Sequence, residues 1–171
     1  VTARRGEGFG LRVDGKTLDS LYNPVGYAQE LLEAQDLEAA SFVVLVGCGG
    51  GALPMALYDL LSAKGDAVLA VYEPDPAVLC GFFARVPELE GLDSARVQFF
   101  TSAQSLLIHI SHLYRRRGKL LLISPPPYKS KYPDELEALT TAVTEGVWIA
   151  DINVNTSSSR AEEWTRNLLR N

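Results

Sequence analysis

The sequence predicts an α/β fold: a doubly wound, mainly parallel sheet preceded by a small N-terminal β-hairpin. Three observations carry that expectation. An apolar run, Phe42 to Val46, passes without interruption into Gly47, Cys48, Gly49, Gly50 and Gly51. A second run, Ala67 to Tyr72, follows a segment of helical periodicity and ends on Glu73. Two more, Arg96 to Phe100 and Lys119 to Ile123, flank another helical segment. Strands buried on both faces read as continuous apolar runs, and strands alternating with helices pair in parallel.

The order strand, glycine turn, helix, strand, acid is that of a Rossmann-like unit. Glycines let the backbone turn tightly and approach a ligand with no Cβ in the way. The helix starting near Ala52 aims its free N–H groups back over that turn. A carboxylate at the tip of the next strand, roughly 20 residues on, accepts a ribose hydroxyl pair in nucleotide-binding folds of this kind. Glu73, 22 residues past Gly51, stands there, with Pro74 and Asp75 after it. The plainer reading is a tight βα corner with Glu73 as a local cap. The sequence leaves the pocket's ligand open between a nucleotide, S-adenosylmethionine and none.

With 171 residues, one domain is the natural count. An apolar fraction of 47% and a charged fraction of 22% fit a globular protein. A formal charge of -5 speaks against general nucleic-acid or anionic-membrane binding, which needs clustered Lys and Arg. Only Arg115, Arg116 and Arg117 cluster, at an expected helix C-terminus where they complement the dipole. Cys48 and Cys80 form no disulfide framework and no metal-type pair, which fits a reducing, cytoplasmic setting. Neither a membrane-spanning run nor a secretory signal is legible.

Taken in order, residues 1–20 hold the hairpin, with Asp14-Gly15 as its two-residue turn. Residues 21–150 form the α/β domain. Asn23 and Pro24 start a helix carrying Val25, Ala28, Leu31 and Leu32 on its apolar side. After the glycine turn, Ala52, Met55, Ala56, Leu60 and Leu61 mark the next apolar face, with Pro54 tolerated in the first turn. Pro74 and Pro76 bracket Asp75 and open a helix from Ala77 to Arg85 that should bury Leu79, Phe82 and Phe83. Thr101 or Ser102 caps the helix bearing Leu106, Leu107, Ile110 and Leu113. Past Ile123 come Ser124, Pro125, Pro126, Pro127 and Tyr128, and three prolines cannot continue a central strand. The chain therefore leaves the sheet on the glycine-turn edge, placing Lys129, Lys131 and Tyr132 over the cleft. A helix from Pro133 to Thr144 and a short strand at Val147 to Ile149 complete the domain. Residues 151–171 read as a polar linker (Asn153 to Ser159), then the start of a helix connecting to a following domain.

GCGGG and EPD resemble the methionine-and-ribose pocket of class I methyltransferases, and SPPPY is similar to the Asn/Asp-Pro-Pro-Tyr loop of their amino-methylating members. The sequence departs from that pattern twice. Leu45 stands where a carboxylate is common, and Pro125 stands where the loop carries its side-chain acceptor, with Ser124 out of register by one.

A longer set of motifs resembles another family, the amino-terminal region of motility accessory factor (Maf-like) proteins associated with flagellin glycosylation. GLRVDGKTLDSLYNP is similar to that family's opening segment with its Ser-x-Tyr-x-Pro element. VLVGCGGG and VYEPD resemble its Gly-x-Gly-x-Gly turn and Glu-Pro-Asp, and DINVNTSSSRAEEWTRNLLRN its Trp-x-x-Asn-x-x-x-Asn helix. Ala52-Leu53-Pro54 departs from the Tyr-His the family often shows. The resemblance implies a methyltransferase-like Rossmann core that is not catalytic alone. It also implies glycosyl transfer of a nonulosonic-acid sugar by the following domain of the same parent chain, and flagellin as a partner. The residues expected to line the pocket are Gly47, Cys48, Gly49, Gly50, Gly51, Glu73, Pro74, Asp75, Ser124, Pro125 and Tyr128.

Among smaller signals, His109 and His112 lie three apart on one helix without a third ligand, and read as ordinary helix histidines. Cys48 reads as a small filler, although a helix N-terminus lowers a thiol pKa. Asp134, Glu135 and Glu137 suit the start of a helix.

Overall fold

The structure is a computed structural model describing residues 10–65, 67–85, 92–114 and 119–168, with 155–168 as backbone only. Its first element is an antiparallel pair, β1 (Arg12–Val13) and β2 (Lys16–Thr17). Both turn residues take positive φ, 49° at Asp14 and 77° at Gly15, as a two-residue hairpin requires.

The main sheet has β3 (Ala40–Val46), β4 (Val68–Tyr72), β5 (Val97–Phe100) and β6 (Lys119–Ile123), all parallel, in the order β5-β4-β3-β6. Phe42 to Val46 of β3 are each at most 1% exposed, which explains their unbroken apolar run. The chain winds outward from β3 through α2 (Ala52–Ser62) to β4 and through α3 (Pro76–Phe83) to β5. It then returns through α4 (Ala103–Leu113) to β6 on the other side of β3. Helix α1 (Pro24–Glu33) packs on α2, and α4 packs on α6 (Pro133–Leu168), so the parallel sheet is flanked by helices in a Rossmann-like arrangement.

The helix starts follow capping chemistry. Asn23 Oδ1 accepts from Gly26 N at 3.0 Å, Asp75 Oδ1 from Ala77 N at 2.9 Å, and Ser102 Oγ from Ser105 N at 3.4 Å. The buried faces of two helices differ from expectation by a rotation. In α2, Leu53, Leu57 and Leu61 are buried at i, i+4, i+8, while Leu60 is 48% exposed. In α3, Val78 and Phe82 are buried and Phe83 is half exposed. Each helix is apolar over more than one face, so its spacing alone leaves the buried side open. On α4, Leu113 also turns outward.

The largest correction concerns the last part of the chain. The expected strand at Val147 to Ile149 and the polar linker after Asp151 are both helical, within the single 36-residue α6. Leu139, Val143, Gly146 and Ala150 form one buried stripe, so helical spacing overrides the local apolar run. Between Gly146 and Leu168 no further Gly or Pro interrupts, and Asn and Ser cost only tenths of a kcal/mol each in a helix already nucleated. Thr140, Thr141 and Thr144 donate their hydroxyls to carbonyls one turn back. The arginine cluster at 115–117 lies outside the described residues, as do the side chains of Trp164 and Leu168. No helix among the described residues is long and apolar enough to cross a membrane.

Gly146 is where α6 crosses α4: a Cβ there would lie 3.1 Å from Ile110 Cβ and from the Leu107 carbonyl oxygen. Gly146→Leu is therefore expected to destabilise the chain by about 1–3 kcal/mol through overpacking, read from urea denaturation.

Candidate functional site

The glycine turn, the end of β4 and α5 (Pro126–Lys131) meet at the carboxyl edge of the sheet. Glu73, the expected ribose acceptor, is 0% exposed and is engaged by the chain itself. Its Oε2 accepts from Cys48 N at 2.9 Å, Cys48 Sγ at 3.3 Å and Tyr128 OH at 2.8 Å, and its Oε1 from Asp75 N at 3.1 Å. No cation pairs with it among the described residues. Burial raises its pKa, opposed by these donors, the Cys48 N–H foremost.

Tyr128 is the second member of this arrangement. Pro125 caps α5 in extended backbone and directs the next turn inward, leaving Tyr128 at 2% exposure. Its hydroxyl donates to Glu73 and accepts from Gly49 N at 3.0 Å. Burial, then the neighbouring Glu73 carboxylate, pushes its pKa far up, so the phenol stays protonated. Its ring lies directly on Gly47, whose φ is 85° and whose missing Cβ would overlap the ring. Glycine is needed at 47 both for its backbone conformation and for this contact.

Asp19 is the third, and sequence reasoning did not find it. It follows the hairpin and is 6% exposed. Its Oδ2 accepts from Gly50 N at 3.2 Å and its Oδ1 from Ser20 N at 2.8 Å. The Gly50 contact spans 31 residues, a separation no local motif encodes. Burial raises its pKa from 3.8 to about 6, against the two backbone donors.

All five N–H groups of the turn therefore have internal acceptors. Gly47 N donates to Tyr72 O at 2.7 Å and Gly51 N to Cys48 O at 3.0 Å. Cys48 N meets Glu73, Gly49 N meets Tyr128 and Gly50 N meets Asp19. The donors that would cradle a phosphate or a carboxylate in a nucleotide-binding turn are held by the chain's own oxygens.

The other expected residues divide. Asp75 caps α3 and its Oδ2 accepts from Tyr132 OH at 3.3 Å, while Pro74 lies in the connection between β4 and α3. Asp75, Gly49 and Gly50 also border a cavity of about 190 Å³ between the hairpin and α3, with Val78, Gly81 and Arg85 across it. Pro125 joins Cys48 and Tyr128 around a void too small for a ligand. Ser124 is not brought to the glycine turn and lines a different cavity with Val46 and Leu136. Lys131 binds Asp14 at 2.8 Å, and Lys16 donates to the Ser130 carbonyl at 3.3 Å, so α5 and the hairpin are tied together over the edge.

Cys48 is 1% exposed, and burial with the adjacent Glu73 raises its thiol pKa, the reverse of activation by a helix N-terminus. His109 stands between the rings of Phe42 and Phe100, at 6.0 and 5.0 Å, and burial lowers its pKa. No group of three metal-ligating side chains is placed together among the described residues.

These features define a Rossmann-like α/β domain whose glycine-turn N–H groups are engaged by its own side chains and backbone. No protein-family model, curated protein or solved structure matches the chain.

Tyr128→Phe leaves Glu73 one donor short and Gly49 N without its acceptor. A loss of about 2–4 kcal/mol is expected in urea denaturation, because both groups are buried. For Asp19, the folded pKa lies above the unfolded one. Its contribution to stability is complete below about pH 4 and is lost as pH rises through about 6. Lowering the pH from 7 to 5 should therefore stabilise the wild type by about 1 kcal/mol relative to Asp19→Asn, measured by denaturation of both at each pH.

Proposed function

We propose that this chain is the amino-terminal, Rossmann-like accessory domain of a Maf-like protein involved in flagellin glycosylation, and that it holds neighbouring parts of that protein rather than catalysing. The family reading rests on the ordered motifs, from Ser20-Leu21-Tyr22-Asn23-Pro24 through the glycine turn and Glu73-Pro74-Asp75 to Trp164. The observation that supports a non-catalytic role is the internal occupation of the turn. Each N–H from Gly47 to Gly51 already has an acceptor in Tyr128, Asp19, Glu73 or the backbone. A ligand entering there would have to expel a buried phenol and leave a buried carboxylate with fewer donors, a cost of several kcal/mol.

In this reading the nucleotide-sugar chemistry belongs to the following domain of the parent protein. That domain is the principal partner, with flagellin as the acceptor and the cytoplasm as the setting. The methyltransferase alternative gains nothing from the geometry: Ser124 is in another cavity, and Leu45 and Pro125 supply no polar group.

Isothermal titration of the purified chain with S-adenosylmethionine, a cytidine-monophosphate sugar and simple nucleotides tests the proposal. The expected outcome is no measurable heat of binding at millimolar ligand. Micromolar S-adenosylmethionine binding that disappears in Glu73→Ala would overturn it in favour of a methyltransferase.

A further inference from the structure

One side of the main sheet is open. β6 ends the order β5-β4-β3-β6, and among the described residues no strand pairs with its outer side. Its register partners on β3, Phe42, Val43 and Val44, are fully buried, yet Leu120, Leu121 and Leu122 are only partly so. Alternate residues of a strand face opposite sides of the sheet, so apolar surface is left open on both faces here. Leu122 lies on the face covered by α6, beside Leu136 and Leu139, and Leu121 on the other. An edge strand is ordinarily blunted by a charge, a proline or a bulge. Leu120 to Ile123 carry none of these: the one charge on β6 is at its first residue, Lys119, whose ammonium is bound by Asp36 at 3.0 Å. The three prolines follow Ser124, past the end of the strand, and the one register irregularity against β3 falls between Ala40 and Phe42.

The backbone decides which groups this edge offers. Lys119 N donates across to Ala39 O, beside β3, at 3.1 Å. N–H and C=O groups alternate in direction along a strand, so those of Lys119, Leu121 and Ile123 point at β3, and those of Leu120 and Leu122 point outward. The outward set is its own complement. With a two-fold axis at Leu121, an antiparallel second copy sets Leu120 opposite the partner's Leu122, and Leu122 opposite the partner's Leu120. Each is a hydrogen-bonded pair that exchanges two bonds, and Leu121 meets its own symmetry mate in the closer, non-hydrogen-bonded pair between them. Leucine then faces leucine on both sides of the sheet, while the two Lys119 residues stand at opposite ends of the pairing and no like charges meet. A foreign peptide could satisfy the outward amides, but only a second copy matches the leucine pattern on both faces by symmetry.

We propose that two copies of this chain join their β6 strands antiparallel, across a two-fold axis at Leu121, so that two four-stranded sheets become one continuous sheet. The interface goes beyond the accessory-domain reading and does not depend on it.

The test is sedimentation velocity of the whole chain over a concentration series. The 18.6 kDa monomer should pass to a dimer with a dissociation constant on the order of 10 µM, since a short strand pair makes a small interface. Leu120→Pro removes an outward N–H and leaves the ladder to β3 intact, as an edge strand permits. By symmetry it deletes two of the four bonds between the copies and should weaken the dimer about tenfold or more. Register is read by cross-linking in a Cys80→Ser background, which removes the exposed native thiol. Oxidised Leu121→Cys should form a disulfide across the axis, where Cα atoms approach to about 4.5 Å. Lys119→Cys should not, because its two copies stand about 14 Å apart. A chain that stays monomeric at about 500 µM overturns the proposal. A dimer that Leu120→Pro leaves unchanged overturns it as well, as does cross-linking that fails at Leu121→Cys or is equally efficient at Lys119→Cys. If Leu120→Pro proves unfolded by circular dichroism, the two cysteine variants decide alone.

Discussion

A buried carboxylate with no counter-cation among the described residues has to be held by hydrogen bonds, and Glu73 sets that requirement for the carboxyl edge of this fold. Desolvating an ionised carboxylate costs several kcal/mol even after relaxation. Four donors answer it: the backbone of Cys48, its thiol, the backbone of Asp75 and the phenol of Tyr128. Two of these come from the glycine turn and one from α5, so the acid at the tip of β4 fixes the position of both. Gly47 has no side chain because the Tyr128 ring must pass over it to reach Glu73. The prolines before Tyr128 end β6 and start a short helix at the angle that delivers the ring.

The closure then spreads through contacts that reinforce one another. Tyr128 and Tyr132, four apart on and just after α5, reach Glu73 and Asp75 respectively, with their rings 5.8 Å apart. Lys131 and the Ser130 carbonyl bind the hairpin at Asp14 and Lys16. From the segment after the hairpin, Asp19 reaches back to Gly50. The glycine turn is thus held from α5 on one side and from the hairpin segment on the other, and the two holders are tied to each other. Removing Tyr128 or Glu73 leaves a buried donor or acceptor unpaired, whereas the Lys131–Asp14 and Lys16–Ser130 contacts are exposed.

Much of the fold was legible because its signals are local. Asp14-Gly15, Asn23-Pro24, Asp75-Pro76 and Ser102 each act within four residues, and each strand of the main sheet is one apolar run. What misled was also local. Leu61 of the expected α2 face is buried and Met55 packs against the core, but Leu60 is exposed and Leu53 and Leu57 take the core side, since a helix apolar on several sides is oriented by packing that its own spacing does not encode. Val147 to Ile149 resembled a strand because three apolar residues in a row suit either structure, and only the stripe packed on α4 decides. Glu73 and the glycines were legible as a unit, but not their saturation. That needed Tyr128, 55 residues beyond Glu73, and Asp19, which lies in the opening segment GLRVDGKTLDSLYNP but whose contact with Gly50 no local spacing encodes.

The glycine turn shows how the pattern of a nucleotide-binding unit can be present while its donors are engaged internally. A glycine turn, a helix start and an acid at the next strand can all be present as a pattern while their polar atoms are taken by internal partners, here Tyr128 and Asp19. The pattern then records the fold and says little about occupancy. Native chains leave few buried polar atoms unpaired, because each one subtracts from a net stability of only about 5–15 kcal/mol. In this molecule the satisfied motif therefore reads as structure: the turn's N–H groups, the phenol of Tyr128 and the two carboxylates complete one another within the fold.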